Sequence, residues 1–128
     1  MSETVPVTMA ALHLLDRIDG GQEPSREELK AAVKESLAHL VEIAPGRAVE
    51  VRIPPFAAVQ AIEGRAHRRG TPSAVVETDA VTWLSLVVGR LSWQEAVASG
   101  RLQASGERSD LSTLLPMLAA PRDEPMEQ

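Results

Sequence analysis

The residue pattern predicts an α+β domain: a small, mainly antiparallel sheet of four to five strands with helices packed on one face. Three observations carry this expectation. Apolar residues recur at helical spacing as far as Ala44, switch to alternation over the next segments, then return to helical spacing before one last alternating stretch. Helices, strands, helices and a strand in that order is not a βαβ sequence, so a doubly wound parallel sheet is not expected. The 128 residues suit one domain, placed at 1–119, with the Pro-, Asp- and Glu-rich residues 120–128 expected to be a disordered tail.

The elements follow in order. Met9, Leu12, Leu15 and Ile18 repeat every three residues, and Gly20-Gly21 ends that helix. Ser25 and Glu28 form a capping box, in which the serine oxygen accepts a free backbone N–H and the glutamate reaches back. Leu29, Val33, Leu37, Leu40, Val41 and Ala44 mark the buried face of the second helix, and Pro45-Gly46 stops it. From Arg47 to Ile53, Val49, Val51 and Ile53 alternate with Ala48, Glu50 and Arg52, as in a strand with one wet face. Pro54-Pro55 interrupts the ladder. Phe56 to Ile62 is nearly all apolar and reads as a strand covered on both faces.

Gly64 to Pro72 is a polar loop, and Ser73 to Thr78 a third strand. Asp79 caps a helix running to Val88, apolar almost all round and so expected deep in the fold. Ser92 and Glu95 make a second capping box, opening a short helix closed by Gly100. Arg101 to Ser105 alternates again, with Leu102 and Ala104 on one face. Asp110 is expected to cap a final helical turn or two, with Leu111, Leu114, Leu115 and Leu118 sharing a face and Pro116 breaking it.

Composition excludes several functions. The absence of cysteine removes disulfides and thiolate metal sites. A net charge of −5 opposes the basic field that phosphate binding needs, so nucleic acid is not an expected partner. No apolar run reaches the ~18 residues of a membrane span, and Met1 to Val7 lacks the basic start and apolar core of a signal peptide. A cytoplasmic location is the default expectation. Phe56, Trp83 and Trp93 are the only aromatic residues, so the core is built from aliphatic side chains.

Chemistry-bearing motifs are scarce. His13, His39 and His67 are far apart, and His39 with Glu42, three residues on, reads as a solvated helix face more readily than a metal pair. There is no HExxH, GxSxG or GxGxxG, and Gly100 to Ser109 lacks the lysine of a phosphate loop. No catalytic residue, metal or cofactor is expected. One charge cluster stands out: Arg65, His67, Arg68 and Arg69 are candidate contacts for an anion, since arginine forks match carboxylate and phosphate geometry. Plain solvated surface is the competing reading of the same loop. Trp83, Leu84, Val87, Val88, Leu102, Leu114, Leu115, Met117 and Leu118 are candidates for the lining of an apolar cavity, with solid core as the alternative.

The stretch from Glu77 to Leu118 resembles the C-terminal half of sterol carrier proteins. The likeness rests on Asp79, Trp83 and Leu84, then Gly89, Ala96, Gly100, Leu102 and Gly106, then Leu111, Leu114 and Leu118, with the Gly100–Gly106 spacing around a strand its most specific part. The runs VRIPPFAAVQAIEG and RGTPSAVVETDAVTWL are similar to a short bacterial branch of that superfamily over Val51 to Leu118. The resemblance implies a sheet with helices on one face enclosing an apolar tunnel for lipid or fatty-acyl groups. The same fold occurs as the C-terminal module of maleylpyruvate isomerase-like proteins, whose metal-binding histidines lie in a preceding helical bundle. Residues 1–46 are too few for that bundle, which argues against isomerase activity. The expected function is therefore non-catalytic carriage of an apolar small molecule. An accessory module with a protein partner or a homodimer is the alternative, and an enzyme of unknown type ranks last.

Overall fold

A computed structural model describes residues 7–64, 74–106 and 109–117. Helices α1 (Val7–Asp19) and α2 (Arg26–Ile43) precede strands β1 (Val49–Ile53), β2 (Ala57–Ala61) and β3 (Ala74–Thr78). Helices α3 (Ala80–Val88) and α4 (Trp93–Ala98) then lead to β4 (Leu102–Gly106). The strands form one sheet in the order β2-β1-β3-β4. β1 pairs antiparallel with β2, β3 pairs antiparallel with β4, and the central β1–β3 pair is parallel.

Alternation decides which face is covered. Val49, Val51 and Ile53 of β1 and Ala74 and Val76 of β3 are buried beneath the helices. Their neighbours Glu50, Arg52 and Glu77 face water, where the Arg52 guanidinium meets Glu50 at 3.2 Å and Glu77 at 3.5 Å. α2 lies against β2, α1 packs on α2 and α3, and α4 leans on β4. Both predicted capping boxes are present, at Ser25/Glu28 and Ser92/Glu95. Asp79 caps α3 by accepting the Thr82 backbone N–H.

The expected depth of α3 is observed: Trp83, Leu84 and Val87 are fully buried. A buried indole needs a partner for its N–H. The Trp83 Nε1–H donates to Ser36 Oγ on α2 at 2.8 Å, and the Ser36 hydroxyl donates in turn to the Val33 carbonyl. Both polar groups are thus satisfied inside an aliphatic core. At the surface, Arg17 of α1 forks onto Glu28 of α2, and Arg90 ties the end of α3 to Asp16 and Asp19 of α1.

Three expectations need correction. The segment at Phe56 to Ile62 is not covered on both faces. Its strand β2 has only β1 beside it among the described residues, and Ala58 and Gln60 are exposed. Apolar composition there reflects small alanines and not a central position. Leu102 and Ala104 are expected on one face of β4, but of the two only Leu102 is buried and the strand is exposed after it. After Asp110 a turn forms at 112–114, as expected, and Met117 is in 3₁₀ conformation, but Leu115 does not share the side of Leu111 and Leu114. The Asp110 carboxylate accepts the Ser112 N–H and the Leu114 N–H closes a turn on Leu111, while Pro116 offers no N–H to continue a ladder.

Candidate functional site

The chain leaves α2 through Ala44, Pro45 and Gly46, and this bend folds back on the end of β2. The Ile62 N–H donates to the Ala44 carbonyl at 2.7 Å, and the Ile62 carbonyl accepts from the Ala48 N–H at 3.0 Å. These two bonds hold Ile62 at φ 73, a left-handed conformation that a β-branched residue avoids. Gly46 makes the close approach feasible: a Cβ there would sit 2.1 Å from the Ile62 carbonyl oxygen. Backbone strain kept in place by its surroundings is a common mark of a functional site.

This bend forms one wall of a cleft of about 730 Å³. Ile43, Pro45, Gly46 and Ile62 line that wall. Leu111 and Leu114 face it from the C-terminal segment, with Glu63, Asp110 and Thr113 also lining the cleft. The Ser112 N–H, and then its hydroxyl, hold the Asp110 carboxyl below the usual carboxylate range. Asp110 is therefore charged at neutral pH. A second cleft of about 440 Å³ lies on the other side of the same segment, lined by Leu86, Leu91 and Trp93 and by Leu115 and Pro116.

The candidate lining residues divide into three groups. Trp83, Leu84, Val87, Val88, Leu102 and Met117 are all buried in one continuous core cluster, and none of them lines either cleft. Leu114 lines the first cleft and Leu115 the second. Leu118 lies outside the described residues, as do Arg65, His67, Arg68 and Arg69 and the tail 120–128. His39 Nδ1 and the Glu42 carboxylate are 3.5 Å apart, and among the described residues no group of three or more His, Cys, Asp or Glu is placed to hold a metal. No helix of the described residues is long and apolar enough to cross a membrane.

Sequence reasoning missed Ile43, Gly46 and Ile62. Pro45-Gly46 was legible as a stop, and the two glycines that flank the β1–β2 segment in sequence, Gly46 and Gly64, were a usable sign of close backbone approach. Nothing in the sequence marks Ile62 for positive φ.

A small, mostly antiparallel sheet with helices over one face is the architecture of sterol carrier protein-like domains. A family model described as Bacterial SCP ortholog matches residues 25–117. The chain belongs to this bacterial family, and the match takes in α2, the whole sheet and the C-terminal segment. No curated protein matches the sequence.

Proposed function

We propose that this protein binds and carries an apolar small molecule of lipid or fatty-acyl type, without catalysing a reaction. The observation that carries the reading is the cleft between the α2–β1 bend and the C-terminal segment. Its walls carry aliphatic side chains at Ile43, Ile62 and Leu114 beside the carboxylates of Glu63 and Asp110, and its backbone is held in a strained form at Ile62. Such a surface suits hydrocarbon, because each methylene taken from water contributes roughly 0.8 kcal/mol with no directional contact. Family membership supports the same reading. The position of Glu63 on the cleft wall adds a point about the head group. Arg65 follows it by two residues in the sequence, and this succession is what supports a role for the arginine cluster. An anionic head held by Arg65, Arg68 and Arg69 completes the proposal, with His67 as an auxiliary contact.

The test is titration with cis-parinaric acid, a fluorescent fatty acid, alongside native mass spectrometry of protein purified from its own host. Saturable binding and a co-purified lipid are expected. Repeated absence of both would overturn the proposal. Replacing Arg65, Arg68 and Arg69 together with alanine should weaken a fatty acid about tenfold or more and leave the matching alcohol unaffected. Equal loss for both ligands would remove the arginines from the site and leave the apolar cleft.

A further inference from the structure

Strand β2 lies at one side of the sheet, and α2 runs along it. At the start of α2 the Arg26 guanidinium lies over the Phe56 ring, 5.6 Å from its centroid, and at the end of α2 the Ala44 carbonyl accepts the Ile62 N–H. In an antiparallel pair, every second residue turns its N–H and C=O away from the partner. β2 pairs with β1 without interruption from Ala57 to Ala61. Among the described residues, no backbone group of 57–61 is bonded by anything but β1. Proteins ordinarily blunt such a margin with a charge, a proline or a bulge. The strand AAVQA has none of these. Phe56, Ala57 and Val59 along it are packed against the core and still half-exposed.

The helix beside this margin carries its charges on separate flanks. Arg26, Lys30 and Lys34 recur at every fourth residue, the spacing of one ridge of a helix. The contact of Arg26 with Phe56 fixes the side on which that ridge begins. Glu28 and Glu35 fall on the other flank, where with Ala31 and Ala32 they face His13, Leu14 and Arg17 of α1. All three cations are exposed, and among the described residues none of them is in an ion pair. We infer that this margin docks an extended acidic segment of a partner protein, which adds to β2 as a strand and sets its carboxylates against Arg26, Lys30 and Lys34. The ladder of backbone bonds supplies affinity, and the cationic ridge selects the charge of the partner. A second copy of this chain fits less well, because two-fold pairing about Val59 sets Lys30 and Lys34 of both copies alongside one another. The β4 margin offers less: it is exposed after Leu102, and α4 beside it, WQEAVA, carries no cation. None of the docking residues lines the cleft, so the inference stands apart from the carrier reading.

The probe is a fluorescein-labelled decapeptide of alternating glutamate and valine, added to the full chain. Fluorescence anisotropy should show saturable binding that weakens with salt, and a decapeptide of alternating lysine and valine should not bind. Replacing Lys30 and Lys34 together, as Lys30→Glu and Lys34→Glu, should weaken the acidic peptide about tenfold or more and leave the fold intact, since both side chains are exposed. Amide hydrogen exchange reads the ladder. Every second amide of 57–61 should slow by about tenfold or more in the complex, and the amides of 102–106 should keep their free rates. Absence of acidic-peptide binding overturns the inference. So does binding that leaves the β2 amides as fast as in the free chain, because the peptide then touches the cations alone. If the β2 amides are already slow without peptide, the margin is covered, by a second copy where light scattering finds a dimer and by the chain itself where it finds a monomer; either result overturns the inference. Binding of cis-parinaric acid is untouched by each of these outcomes, so the two proposals fail separately.

Discussion

Trp83 and Ser36 form the pair on which the interior depends most. Removing the hydroxyl in Ser36→Ala leaves the indole N–H buried without an acceptor, which should cost about 1–3 kcal/mol in urea unfolding. Trp83→Ala also opens a large void, and its cost should reach ~3–5 kcal/mol. The two changes share one hydrogen bond, so a double-mutant cycle should show clear non-additivity. Near-additive losses would mean that the bond contributes little. Glu28 is one residue through which acid acts. Its carboxylate accepts from Arg17 and from the Ser25 N–H, and these contacts lower it from 4.5 to about 2. The folded value lies below the unfolded one, so the charged form adds stability above about pH 4.5, and that contribution is lost as pH falls toward 2. Glu28→Gln preserves the cap geometry and removes the charge. Its Tm should lie below that of the wild type at neutral pH, and the two curves should converge in acid. A constant gap across that range would assign the effect to the cap and not to ionisation.

At the scale of elements, the α2–β1 bend and the C-terminal segment 109–117 make opposite demands on the chain. The bend is over-determined: two backbone hydrogen bonds and the Gly46 contact leave it one conformation. Gly46→Ala would drive a Cβ into the Ile62 carbonyl and should cost well over ~1 kcal/mol, seen as a lower urea midpoint. A wild-type midpoint in that variant would mean that the bend is looser than described. The C-terminal segment is held by few hydrogen bonds, those of Asp110 with Ser112 and Leu111 with Leu114. Helix boundaries were legible because capping chemistry is local, and Ser25, Asp79 and Ser92 each name the residue where a helix begins. β1 and β3 were legible because alternation records a buried face and a wet one. The position of β2 at the side of the sheet was not legible, since alanine gives the same signal whether covered or bare. The irregular course of 110–116 was only half visible, in Pro116.

At the scale of the whole molecule, order and composition were enough to state the architecture, and the family match agrees with it. The site was less legible. Its cleft joins Ile43, Ile62 and Leu114, residues distant in sequence whose meeting depends on the path of the backbone and not on any motif. Ligand binding should also appear as global stabilisation, because a molecule that binds only the folded chain adds about 2.7 kcal/mol at a hundredfold excess over its Kd. Thermal melting with cis-parinaric acid is the measurement, and an unshifted Tm at saturation would indicate equal affinity for unfolded chains. The bare side of the sheet sets a final constraint. Arg52, shared between Glu50 and Glu77, would have to be stripped of water before any layer could settle there, and exposed ion pairs return little for that dehydration. A larger complex containing this domain should therefore grow from the helical side or from a sheet margin, with the charged plane kept outward.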